Sequence, residues 1–301
     1  MLGENSATFE VKAGDVTFSP INCQAPATEA RTELTLHLNV TEDDKPVSSD
    51  TFALQVFPRL QPRAPKTRAA VWDPRGNTAA WLTQLGLSAT AIQPGDSLAD
   101  YDLLLIGREA LQPGARMPYS PNDLRRGLNV IVFAQRPEMW EALGFRPDDL
   151  MTRRVFVAVE GNPVLDGLRP ADLRDWRGSP DLLPTFRHAY AHDGPRAPKG
   201  SNRGAVASVV LRLPAAVGFT PLLNCEFDLD YSPLLQWRYG RGSILFCTLD
   251  LEGRIGSGPA ATLLAANLLR AAVAQAPEAA PLRVVGPKES LNDPVTLEAV
   301  R

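Results

Sequence analysis

Cysteine, histidine and long apolar runs are all scarce in this chain of 301 residues, and each scarcity removes a class of function. Cys23, Cys225 and Cys247 stand far apart with no Cys-x-x-Cys pair, which excludes a four-thiolate zinc site. Three histidines leave little material for an imidazole-rich metal centre. His188 and His192 have i, i+4 spacing, but Pro184, Gly194, Pro195 and Pro198 around them argue for a surface loop, and no metal site is expected. No apolar run approaches the ~18 residues that a membrane-crossing helix needs. The net charge of −3 gives no reason to expect nucleic acid or an anionic membrane as a partner. The opening MLGENSATFEVKAGD lacks a basic start followed by an apolar core, so it does not read as a signal peptide. Neither G-x-G-x-x-G nor G-x-x-x-x-G-K-[ST] occurs, so dinucleotide and nucleoside triphosphate readings fail and no cofactor is expected.

What remains is globular in composition, 44% hydrophobic and 22% charged, with 27 prolines and 22 glycines predicting many turns. The length suits two domains. Residues 1–58 read as strands. In Thr32–Val40, Leu34, Leu36, Leu38 and Val40 alternate with Thr35, His37 and Asn39, a period of two that buries one face and leaves His37 solvated. Thr51–Phe57 is again β-rich, and Thr8–Phe18 supplies one or two more strands around Gly14-Asp15. Three or four strands make a partial immunoglobulin-like sandwich, with an apolar face and open edges left to be covered. The proline- and arginine-rich residues 59–68 read as a stiff linker.

Beyond the linker the pattern changes. Ala69–Trp72, Ala89–Ile92, Leu103–Ile106, Val130–Phe133 and Ile244–Cys247 are short and almost wholly apolar, as strands covered on both faces are. Helical stretches lie between them at Asn77–Leu85, Pro121–Leu128, Pro137–Leu143 and Pro259–Ala276. This alternation predicts an α/β domain over residues 69–279: a mostly parallel sheet with helices on both faces. Residues 150–240 form an insertion at one sheet edge, with strands expected at Arg154–Val159, Ala207–Leu213 and Leu234–Tyr239. Residues 280–301 read as a tail or as the start of a further α/β unit.

In such sheets ligands sit beyond the carboxyl ends of the strands, where strand order reverses. Those ends carry Asp73 and Arg75, then Arg108 and Glu109, then Gln135 and Arg136, with Asp250 after the last strand. Asn77 or Thr78 is placed to cap the first helix. A hydrolase of this architecture needs Cys or Ser at the turn after the fourth strand and a histidine later. That turn reads Phe133-Ala134-Gln135-Arg136-Pro137, and the stretch after the last strand holds no histidine, so no catalytic residue is assigned. Cys247 sits inside an apolar strand, where a thiol is inert. Trp176 and Trp237 remain candidates for stacking on a sugar. Glu226, Asp228 and Asp230 fall at period two, a spacing compatible with a glycosidase pair, though a solvated face or contacts to Arg238 and Arg241 explain them better.

Several stretches carry a resemblance: Asn162–Leu168, Asp172–Gly178, Asn202–Ser208, Cys225–Leu235, Tyr239–Asp250 and the start of the final helix at Pro259. They resemble accessory regions of bacterial glycoside hydrolase family 2-like, β-galactosidase-like proteins. The α/β module is similar to a class I glutamine amidotransferase, flavodoxin-like domain, and Thr51–Pro58 is similar to the end of a preceding immunoglobulin-like domain. The resemblance implies a non-catalytic accessory or assembly part that shapes or covers a substrate cleft. Its partner would be a catalytic glycosidase domain on the same or another chain, in a homo-oligomer exported or periplasmic with its parent. Two alternatives stand beside it: a carbohydrate-binding module, and an autonomous glycoside hydrolase using Glu226, Asp228 or Asp230.

Overall fold

The computed structural model describes residues 3–17, 22, 24–59, 65–112, 114, 116–148, 150–176, 204–215 and 218–274. Cys23, His188, His192, most of the loop at 191–204 and the tail at 280–301 lie outside the described residues. The chain divides into two compact units, Met1–Gln61 and Pro62–Arg301. It is mixed α/β, dominated by sheet with few helices, and its described strands form open sheets rather than a closed barrel.

The first unit is an antiparallel hairpin of β1 (Thr32–Glu42) and β2 (Lys45–Val56). Asp43 and Asp44 both take left-handed φ, 48° and 60°, which makes a tight two-residue turn whose twist matches the strands. Leu34 pairs with Leu54 and Leu36 with Phe52, so one face gathers the apolar side chains while His37 is exposed on the other. That apolar face is open: Phe52 is 45% and Val40 46% exposed. The extra strands expected in Thr8–Phe18 are not formed among its described residues. Instead a turn closes at Asp15, whose N–H donates to Lys12 O at 2.9 Å, and the neighbouring residues are exposed.

In the second unit β3 (Ala69–Trp72), β4 (Ala89–Ala91), β5 (Leu103–Ile106), β6 (Asn129–Val132) and a later strand, β12 (Gly242–Cys247), pair in parallel in the order β4-β3-β5-β6-β12. Alternate residues of each strand belong to different cores, which is why the runs are continuously apolar. Ala69, Val71, Leu103, Leu105 and Ile131 pack with α1 (Asn77–Gln84) and α4 (Pro259–Val273). Ala70, Leu104, Ile106, Val130 and Val132 pack with α2 (Pro121–Arg126) and α3 (Pro137–Ala142) on the other face. Leu264, Leu268 and Ala272 of α4 are buried, as their spacing predicts.

Between β6 and β12 the chain adds β7 (Pro147–Asp148), β8 (Val155–Val157), β9 (Val210–Arg212), β10 (Phe219–Cys225) and β11 (Tyr231–Tyr239). They continue the sheet in antiparallel fashion beyond β12, in the order β11-β10-β8, with β9 joining β11 to β7.

Candidate functional site

The strand order reverses between β3 and β5: the chain goes outward from β3 to β4, then returns to β5 on the other side. Loops leaving β3 and β5 therefore diverge and leave a polar rim at the carboxyl ends of the strands. Asp73 follows β3. Its Oδ2 accepts the Ala79 N–H at 2.9 Å, so Asp73 caps α1 in place of the expected Asn77 or Thr78. Gly76, at the cap position itself, has a φ of 76° and offers no side chain. Thr78 is fully buried and its Oγ1 accepts the Arg108 N–H at 3.0 Å, which ties α1 to the loop after β5. Asp73 Oδ1 is buried without a hydrogen bond and lies against Gly107, where a Cβ would come within 2.6 Å of it. Only glycine fits there.

Gln135 follows β6 at the turn where a nucleophile would stand, and it is fully buried. Its Nε2 donates to Gly107 O (2.7 Å) and Phe133 O (2.6 Å), while its Oε1 accepts from Leu111 N (3.0 Å). The side chain is a brace between the loops after β5 and β6. Glu109 is 95% buried, since 5% remains exposed, and takes a left-handed φ of 52°. Its N–H donates to Ala134 O at 2.9 Å. Its Oε2 accepts no hydrogen bond but forms ion pairs with Arg75 and, at 3.6 Å, with Arg136. Asp73, Arg75, Arg108, Glu109, Gln135 and Arg136 are thus brought to one rim.

The same rim includes Asp250, which the sequence also puts at a strand end, and three groups that sequence reasoning left unassigned: Ser208, Glu252 and Arg254. Arg108 pairs with Glu252 at 3.4 Å. Ser208 Oγ donates to Asp250 Oδ2 at 2.5 Å, and burial pushes the Asp250 carboxyl up to about 7 against the opposing pull of Ser208, Arg254 and Arg108. Arg254, itself buried, donates from Nη1 to Asp250 O at 2.9 Å. The signal for Glu252 and Arg254 was the run directly after the last parallel strand, Asp250-Leu251-Glu252-Gly253-Arg254; Ser208 lies far from it in sequence. A hydroxyl–carboxylate pair thus exists here, but the Ser208 hydroxyl is spent on Asp250, and the described residues of this unit contain no histidine to serve as base.

Other expectations are corrected by burial. Trp176 and Trp237 are 5% and 2% exposed, so neither offers a face to a sugar. Trp176 donates to Asp172 O at 2.8 Å with Arg254 over its ring, and Trp237 is stacked against Phe219 and Tyr239. Glu226, Asp228 and Asp230 do not share a strand face. They occupy the turn between β10 and β11, where Glu226 (φ 67°) and Leu229 (φ 58°) are left-handed. Asp228 Oδ1 accepts from Asp230 N, and Asp230 pairs with Arg212 at 2.9 Å rather than with Arg238 or Arg241. Cys225 and Cys247 are buried and both thiols are pushed up to about 12 by burial, in keeping with an inert role. A small cavity at the opposite end of the sheet is lined by Arg68, Asp102, Asp123 and Arg126, whose charges pair among themselves.

No protein-family profile matches the sequence, and no curated protein does. Among solved structures, a cytoplasmic protein of Salmonella typhimurium is similar at a TM-score of 0.38 and 12% identity, over 79% of this chain and 95% of that one. The β-galactosidases of Rahnella sp. R3 and Bacillus circulans sp. alkalophilus are each similar at a TM-score of 0.36 and 12% identity, over 64% of this chain and 26% of theirs. Scores at this level fall short of a shared fold, and no property of those proteins is carried over to this one.

Proposed function

We infer that the chain is a non-catalytic accessory or assembly portion of a carbohydrate-active, glycoside hydrolase-like protein. In this reading residues 69–279 are a degenerate class I amidotransferase-like, flavodoxin-like domain with an insertion at 150–240. Residues 1–58 contribute part of an immunoglobulin-like sandwich, and 59–68 join the two. The partner is a catalytic glycosidase domain on the same chain or another, whose cleft this chain covers or whose oligomer it holds together. The carbohydrate link comes from the sequence resemblance. The observation that supports the loss of chemistry is Gln135: at the bend where an attacking group belongs stands an amide whose donor and acceptor are committed to the backbone.

The two alternatives gain no support from side-chain geometry. A carbohydrate-binding module reading through Trp176 and Trp237 needs exposed rings, and both are buried. An autonomous glycosidase needs carboxylates facing each other across a cleft, whereas Glu226, Asp228 and Asp230 sit on one hairpin tip. Purified chain offered a panel of nitrophenyl glycosides should release no nitrophenol above background. Turnover that Glu226→Gln or Asp228→Asn abolishes would overturn the reading.

A further inference from the structure

The carboxyl rim of the sheet holds one arrangement that neither capping nor bracing accounts for. Arg75, from the loop after β3 across the reversal point, and Arg136, from the loop after β6 on the other side, meet at the same carboxylate oxygen of Glu109. Glu109 is held in place: it is 95% buried, its backbone is left-handed at φ 52°, and its N–H is bound to Ala134 O. A bulky residue keeps that conformation only when its surroundings enforce it, and such strain concentrates at ligand sites. The two guanidinium groups are different in kind, each half exposed. Each carries five N–H donors in a planar fork, more than a single shared carboxylate oxygen can satisfy. Two guanidinium groups share one carboxylate oxygen, while Asp73, whose charge offsets one of theirs, accepts the Ala79 N–H of α1 through Oδ2. Arg108 is balanced separately by Glu252.

We propose that Arg75 and Arg136, aligned by Glu109, form a binding site for the carboxylate of an acidic sugar. A carboxylate matches the unfilled donors and planar geometry of the two forks, which favour paired N–H···O contacts. Glu109 acts as a positioning residue that fixes both forks before the ligand arrives. The sugar identity rests on the carbohydrate-linked reading above; the anion site itself does not depend on it.

Isothermal titration of the full chain at low ionic strength tests this with glucuronate, glucose, acetate and inorganic phosphate as probes. Glucuronate binds and glucose does not. Arg75→Ala and Arg136→Ala each weaken glucuronate by about 10- to 100-fold, the scale of losing hydrogen bonds to a charged group. Arg136→Lys, which keeps the charge and loses the fork, retains part of the affinity, and Arg126→Ala on α2 changes nothing. Thermal midpoints check that the variants remain folded. Absence of binding by all four probes, or binding indifferent to both arginines, overturns the proposal. Phosphate or acetate binding as tightly as glucuronate with the same dependence on the arginines overturns the acidic-sugar assignment. Hydrolysis of an aryl glucuronide would sink the non-catalytic reading while leaving the site standing, whereas absent binding without turnover sinks the site alone.

Discussion

Gln135 and Asp250 are the two single residues through which the rim can be interrogated. Truncating Gln135 removes its bonds to the buried Phe133 O and Leu111 N and leaves Gly107 O with only the Ala110 N–H. Gln135→Ala should therefore cost about 2–4 kcal/mol in chemical denaturation, the scale of several buried polar groups left unpaired. A change inside ~0.5 kcal/mol, the range of an ordinary surface substitution, would refute the brace. Asp250 behaves oppositely with pH. Its folded-state carboxyl titrates near 7, above its ordinary value of 3.8, so the folded state holds a proton that the unfolded chain has already lost. Stability from this group is intact below pH 4, falls as pH rises toward 7 and stays lost above it. Asp250→Asn should flatten that decline and make the protein more stable at pH 8 by about 1–3 kcal/mol; an unchanged pH profile would contradict it. Six rim residues were legible in the sequence because short apolar runs mark strand ends, and the residues just past them are forced to the rim. The burial of Trp176 and Trp237 was not legible. Arg254 reaches Trp176 from the turn after β12 and Phe219 meets Trp237 through strand pairing, and no local pattern records either contact.

At the scale of elements, the entry into α1 is set by Asp73 from the strand side of the turn. Asp73→Ala removes the acceptor for Ala79 N–H and should lower stability by about 1 kcal/mol, while Asp73→Asn, which retains an acceptor, should lose less. Equal losses for both would show that the charge matters and the cap does not. The parallel strands and four helices were readable because a strand packed on both sides and a helix packed on one have different periods. Among the described strands β7 and β10 escaped, β7 because it holds only two residues. β10, FTPLLNC, contains Pro221 and mixed polarity, and its register with β11 shifts at Pro221/Leu223 and again at Leu223/Cys225, so it has no clean alternation. The 226–230 segment mimics alternation with its spaced carboxylates, yet Glu226 and Leu229 turn the backbone left-handed and end the strand. Thr8–Phe18 failed in the other direction: strand-like residues without a neighbouring strand to pair with stay unpaired among the described positions.

For the molecule as a whole, the hairpin of β1 and β2 presents an apolar face with Phe52 and Val40 nearly half exposed. A two-stranded sheet with such a face is marginal alone, and burying it in an assembly would supply what a single copy lacks. Light scattering should show the chain associating as concentration rises, and Leu36→Thr with Phe52→Thr should reduce that association. A monodisperse monomer across the concentration range would count against an assembly role. The central claim is that the scaffold remains while its attacking group is gone. Intact-mass spectrometry after incubation with an activated fluorophosphonate and a 2-fluoroglycoside tests it most directly. The account predicts a protein of unchanged mass under both reagents. A single stoichiometric adduct mapped to Ser208, Thr78 or a carboxylate of the rim would contradict it.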